Sequence, residues 1–221
     1  MSTITPLPPV SERAHLPSVG IRSSLYRLNV DQYERLVETG VLGTQPVELI
    51  DGLLVRKMGK RPPHVIACEA TRDLLLPLIP QGWRLTVEAP IRVPEFDEPE
   101  PDLAIVRGTR AQYEDGHPGP ADVGILIEVA DTTLDRDRGE KESAYARGGV
   151  PVYWIVNLVD RQLEIGTGPT LDGYRERRIV LPGETASLVL DGTEIGPIDV
   201  SAILPRDRSA PNTLRLSSEE K

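Results

Sequence analysis

The run Val123-Gly124-Ile125-Leu126-Ile127-Glu128-Val129 constrains this chain more than any other segment. It is apolar almost without interruption, so it has no polar face to turn toward water, and it predicts a central strand covered on both sides. The interruption is Glu128. An ionised carboxylate inside such a strand is costly unless it is paired or holds a cation. Glu128 therefore requires a partner.

Two neighbouring segments supply candidates. Upstream, Leu103-Ala104-Ile105-Val106 reads as a short strand ended by Gly108, with Asp102 at its start directly after Pro101. Adjacent strands lie about 4.8 Å apart, so Asp102 and Glu128 can project toward one point and share a hard cation. Downstream, a helix is predicted from Asp137 to Arg147, ending at Gly148 and Gly149. It carries Arg138, Lys141 and Tyr145 at spacings of three and four, hence on one face. Two carboxylates and an ammonium suit phosphodiester hydrolysis. A cation polarises the phosphate and lowers the pKa of a water, while the lysine orients that water or offsets the developing negative charge.

The remaining pattern places this trio in an α/β chain with a mixed sheet. A helix opens at Asn29 or Asp31, and Val47 to Val55 reads as a hairpin turning at Asp51-Gly52. A second helix runs from His64 to Leu78, followed by an alternating strand from Trp83 to Val93. Further strands are predicted over Val152 to Val159, from Leu163, over Tyr174 to Val180, and over Ala186 to Leu190. Strands and helices interleave without the regular alternation of a doubly wound sheet. The proline-rich residues 1–22 and the polar residues 205–221 read as a loose arm and tail around a domain at 23–204. The single cysteine among 221 residues precludes an internal disulfide and suits a reducing compartment. No apolar run reaches a membrane-spanning length and no signal-peptide layout opens the chain, so a cytoplasmic protein without membrane association is expected. The net charge of −9 argues against broad backbone gripping of nucleic acid, although carboxylates that hold metal would themselves make a catalytic domain acidic.

The segments VELIDG, PDLAIVR, ILIEVADTTLDRDRGEKESAYARGGVPVYWIVNL and DGYRER resemble the Uma-two family, a domain family grouped with restriction endonucleases in the PD-(D/E)XK nuclease superfamily. The resemblance spans roughly residues 25 to 195. It implies a restriction-endonuclease-like core, a central mixed sheet flanked by helices. It also implies dependence on Mg2+, with Mn2+ as a substitute, and DNA as the partner. Asp102 and Glu128 are the implied metal ligands, with the backbone carbonyl of Val129 as a third. The superfamily lysine ordinarily stands two residues after the acid, where this chain has Ala130; Lys141, inside RGEK, is the substitute. Glu48, in VELIDG, adds a further carboxylate to the catalytic set. A homodimer would supply the two sites that duplex cleavage needs.

Plainer readings stand beside these. Asp102 could be a turn residue bonded to nearby backbone. Glu128 could form a buried salt bridge with Arg138 or Lys141, and Lys141 could be a solvated helix residue. His64 reads either as a cap or packing residue or as a phosphate contact, Tyr145 and Trp154 as core, and Glu95, Asp97, Glu98 and Glu100 as a solvated acidic loop. His117 and Cys68 make no zinc-like spacing. Whole-protein alternatives are a nuclease-fold binding module without turnover and a glycoside hydrolase, the latter disfavoured by an aromatic content of 4%.

Overall fold

Val123–Ala130 does form an interior strand, and every residue of it is buried. In the computed structural model, which describes residues 25–207, it is the third of six strands in the central sheet. The expected arm at 1–22 and residues 208–221 of the expected tail lie outside the described residues. Pro205, placed in that tail from sequence, is held in place: its carbonyl accepts from Arg161 Nη1 at 3.0 Å.

In chain order the elements are α1 (Val30–Glu38), the hairpin β1 (Val47–Ile50) and β2 (Leu53–Arg56), α2 (Pro62–Leu75), β3 (Trp83–Val87), β4 (Leu103–Arg107) and β5 (Val123–Ala130). A helical segment follows as α3 (Leu134–Arg136), a π-turn (Asp137–Lys141) and α4 (Glu142–Gly148). Then come β6 (Val152–Asn157), β7 (Gln162–Thr170), β8 (Gly173–Val180), β9 (Thr185–Leu190), β10 (Thr193–Asp199) and the short α5 (Val200–Ile203). The sheet order is β3-β4-β5-β6-β7-β8, with β5 and β6 parallel and the other neighbours antiparallel. A mixed sheet was expected, and one is found.

Strand alternation sends the side chains of β5 to two different cores. Ile125, Ile127 and Val129 pack against Ala67 and Leu75 of α2 and against the β9–β10 hairpin. Leu126 and Ala130 face the other way, toward Tyr145 of α4, Tyr153, Ile155, Ile91 and Val93. Glu128 shares this second face by the same alternation. No helix among the described residues is long and apolar enough to cross a membrane.

Local chemistry explains most element boundaries. Asn29 caps α1 in a reciprocal pair with Gln32, its Oδ1 accepting from the Gln32 amide at 2.9 Å. Asp51 and Gly52 both adopt positive φ, 51° and 73°, the mirror-image turn that matches strand twist. The helix expected to reach Leu78 gives way after Leu75 to a 3₁₀ turn, because Pro77 has no amide to continue the α ladder. The strand expected to run to Val93 stops at Val87, where Glu88 takes φ of 49° and Pro90 follows. The acidic loop is also unlike its expectation. Asp97 and Glu98 are buried, and Asp97 Oδ1 accepts from the Asp51 amide at 2.6 Å, bracing the first hairpin.

Candidate active site

Asp102 and Glu128 meet because of strand register. Leu103 pairs with Ile127, so one further step along the antiparallel ladder sets Asp102 opposite Glu128. Side chains at such a position share a face and stand roughly 5 Å apart at Cβ. The ladder itself has ended there, and the Val129 amide, left without a strand partner, donates to Asp102 Oδ2 at 2.8 Å. A strand residue's N–H and C=O lie on the same edge, so the Val129 carbonyl also faces this opening. Asp102 Oδ2 further contacts His64 Nε2 at 3.2 Å, and Lys60 Nζ lies 3.5 Å from Asp102 Oδ1.

Glu128 receives two donors on one oxygen. Lys141 Nζ donates to Oε1 at 2.8 Å and the Tyr145 hydroxyl at 2.7 Å. Glu48 comes from β1: its Oε2 accepts the Glu100 amide at 3.1 Å and stands 3.4 Å from Lys141 Nζ. All four expected side chains, Glu48, Asp102, Glu128 and Lys141, are thus buried and line one cleft.

Arg138, placed with Lys141 and Tyr145 on one helical face from sequence, does not join them. The π-turn inserts an extra residue per turn ahead of α4, which rotates Arg138 away to Glu164, with Nε–Oε2 at 3.1 Å, and to Asp160 at 3.2 Å. Asp137 occupies the cleft instead. It is almost fully buried and accepts the Thr133 hydroxyl at 2.5 Å. Sequence reasoning missed Asp137, although its spacing of four from Lys141 places it on that residue's helical face. Tyr145, expected on the Lys141 face and in the core, meets both expectations: the ring is buried in the core and the hydroxyl donates to Glu128. The salt-bridge reading of Glu128 is realised with Lys141 and not with Arg138.

The charges do not balance. Glu48, Asp102, Glu128 and Asp137 outnumber the buried ammonium of Lys141. Burial pushes the Glu128 carboxyl up to about 8 against the pull of Lys141, with Asp102, Asp137 and Glu48 adding to the rise. Burial likewise raises Asp137 to about 6. Burial alone would lower Lys141, but the carboxylates led by Glu128 outweigh it and hold the ammonium protonated. Burial would also raise Asp102, yet the hydrogen bond and charge of His64, with the Val129 amide, keep it below the ordinary range. Four carboxyl groups around one buried ammonium supply oxygen donors of the kind a hard cation takes. The cavity holds about 330 Å3, and Lys57, Lys60, Arg61 and Arg136 line it as well, so an acidic floor is combined with basic residues.

Residues 30–201 match the model of the Uma2 family, described as "Putative restriction endonuclease". The chain belongs to the Uma2 family. Among solved structures it is similar to a putative nuclease belonging to DUF820 from Anabaena variabilis ATCC 29413, with a TM-score of 0.55 and 14% identity, over 80% of this chain and 97% of that one. At that identity the likeness concerns the fold alone. No curated protein matches the chain. The family carries the description of a putative nuclease, and the cleft described above lies within the matched residues.

Proposed function

We propose that this Uma2 protein is a divalent-metal-dependent endonuclease that hydrolyses DNA phosphodiester bonds in the cleft floored by Asp102 and Glu128. The observation that carries the reading is the excess of buried carboxylate over buried cation at the end of the β4–β5 ladder. Asp102, Glu128 and the Val129 carbonyl would hold Mg2+, or Mn2+ in its place, and the ion would supply Lewis-acid polarisation of a phosphoryl oxygen.

The chain's own residues supply the rest. The Val129 amide and His64 fix the Asp102 carboxylate, and the low pKa of Asp102 keeps it ionised. Lys141 and Tyr145 fix Glu128, while Glu48 holds Lys141 from its other side. Anchored in this way, the Lys141 ammonium is positioned to orient the attacking water and to offset charge developing on the phosphate. Lys57, Lys60, Arg61 and Arg136 also line the cleft, each paired with an acid, and would exchange those partners for phosphate oxygens to hold a polyanion.

A second reading is supported by the closed Lys141–Glu128–Glu48 contact, which is stable as an ion-pair cluster and needs no chemistry: a nuclease-fold module that binds without turnover. Supercoiled plasmid incubated with the full chain separates the two. Nicking or linearisation with Mg2+ or Mn2+, abolished by Asp102→Ala and by Lys141→Ala, is the expected result. Intact plasmid at every metal concentration, together with calorimetry showing no metal uptake, refutes the endonuclease. DNA association that survives Glu128→Gln without cleavage supports the binding module.

A further inference from the structure

We propose that His64, Cys68 and Asp102 form a second metal site, selective for a borderline-soft divalent ion such as Zn2+, that shares Asp102 with the cleft. His64 and Cys68 stand four residues apart on α2, so both project from one helical face. Asp102 reaches that face from the start of β4. His64 Nε2 lies 3.2 Å from Asp102 Oδ2 and Cys68 Sγ lies 3.5 Å from His64 Nδ1. One donor atom from each residue falls within 4.8 Å of the others. The ligand–ligand edge of a tetrahedral zinc site is roughly 3.5 Å from its bond lengths, so side-chain rotation suffices to close the set.

Donor chemistry separates this trio from the carboxylate floor beside it. Sulfur and imidazole nitrogen select zinc or cobalt, whereas Mg2+ demands oxygen. A cavity of about 190 Å3, lined by Lys60, His64, Cys68, Glu69 and Glu88, gives solvent a route to the thiol side, and His64 also lines the main cleft. On binding, the hydrated ion exchanges water for the three ligands, and the thiol proton of Cys68 passes to solvent. The Lys60 ammonium near Asp102 Oδ1 must move aside. A plainer role exists for Cys68, which packs against the α2-side core. The spacing of four by itself brings the sulfur to the imidazole; what it does not account for is the Asp102 carboxylate, which reaches the same point from β4.

A shared Asp102 has a consequence that rests on the endonuclease reading: occupation by Zn2+ withdraws a magnesium ligand, so zinc inhibits cleavage. Binding itself does not depend on that reading and is tested separately. The full chain is titrated with Co2+ and followed by absorption. Because Cys68 is the only cysteine in the sequence, a thiolate-to-cobalt charge-transfer band can arise from no other residue. The expected result is that band at one ion per chain, bleached by Zn2+ and unaffected by excess Mg2+, absent in Cys68→Ser and weakened at least tenfold in affinity in His64→Ala. Absence of the band in the wild-type chain overturns the site, as does a band that needs two chains per ion. A band present while Zn2+ leaves plasmid cleavage unchanged would retain the site and remove the shared-ligand consequence. Circular dichroism of Cys68→Ser confirms that a lost band is not a lost fold.

Discussion

Replacing Glu128 by Gln isolates the electrostatic cost of the site. The amide keeps an oxygen to accept from Lys141 and Tyr145 but cannot ionise. In the wild-type chain burial raises Glu128 from 4.5 to about 8. Because this is an acid whose folded pKa lies above its unfolded one, its full stability is present below about 4.5 and is lost as pH rises through about 8. At about 1.4 kcal/mol per unit, the raised pKa lowers folding stability, relative to the fully protonated protein, by ~1 kcal/mol near pH 5 and ~4 kcal/mol near pH 8. Glu128→Gln should therefore exceed the wild type by ~1 kcal/mol near pH 5 and by ~4 kcal/mol near pH 8, a gap that widens by about 3 kcal/mol. Asp137, raised to about 6, interacts with Glu128, so the pH dependence of the difference belongs to the pair rather than to Glu128 alone. Urea denaturation followed by circular dichroism, in chelator at the two pH values, measures the gap. Adding Mg2+ near pH 8 should stabilise the wild type and have much less effect on the variant. An equal pH slope in the two proteins, or equal Mg2+ stabilisation, would refute the claim that Glu128 is a strained buried acid awaiting a cation.

Other expectations follow from single contacts. Tyr145→Phe removes a hydrogen-bond donor to Glu128 and should cost about 1 kcal/mol in chemical denaturation below about pH 8. Arg138→Ala should lower the melting temperature by loosening Glu164 while leaving metal affinity unchanged, since the π-turn directs Arg138 away from the cleft; a calorimetric loss of metal binding would contradict that geometry. Gly124→Ala should destabilise by about 1–3 kcal/mol, because its Cβ would meet Leu190 Cδ2 at 2.6 Å and Trp83 Cζ3 at 2.8 Å. Gly52→Ala should cost about 1–3 kcal/mol in thermal unfolding, since φ is +73° there and the new Cβ would lie 2.6 Å from Arg27 Cβ.

Where a residue's fate depends on its immediate neighbours, sequence and structure agree. The buried interior of β5, the Asp51-Gly52 hairpin, the Asn29 cap and the helix stop at Gly149, with φ of 84°, are all local consequences of side-chain size, hydrogen-bonding groups and backbone freedom. β10 went unread, although Asp191-Gly192, with φ of 50° and 74°, repeats the signal that marked the first hairpin. The solvated reading of Asp97 and Glu98 failed for a different reason: composition reports charge, while burial depends on what packs above the loop.

By itself the sequence determined that Glu128 would be an acid in an apolar strand in need of a partner, because hydrophobic periodicity is written residue by residue and burying a charge has a fixed physical cost. Tertiary structure alone decided which groups answer that need. The β4–β5 register set Asp102 opposite it, the first hairpin brought Glu48 from far along the chain, and a π-turn exchanged Arg138 for Asp137 and pointed Lys141 inward. Register and helical phase depend on the summed packing of many residues, so no local pattern records them.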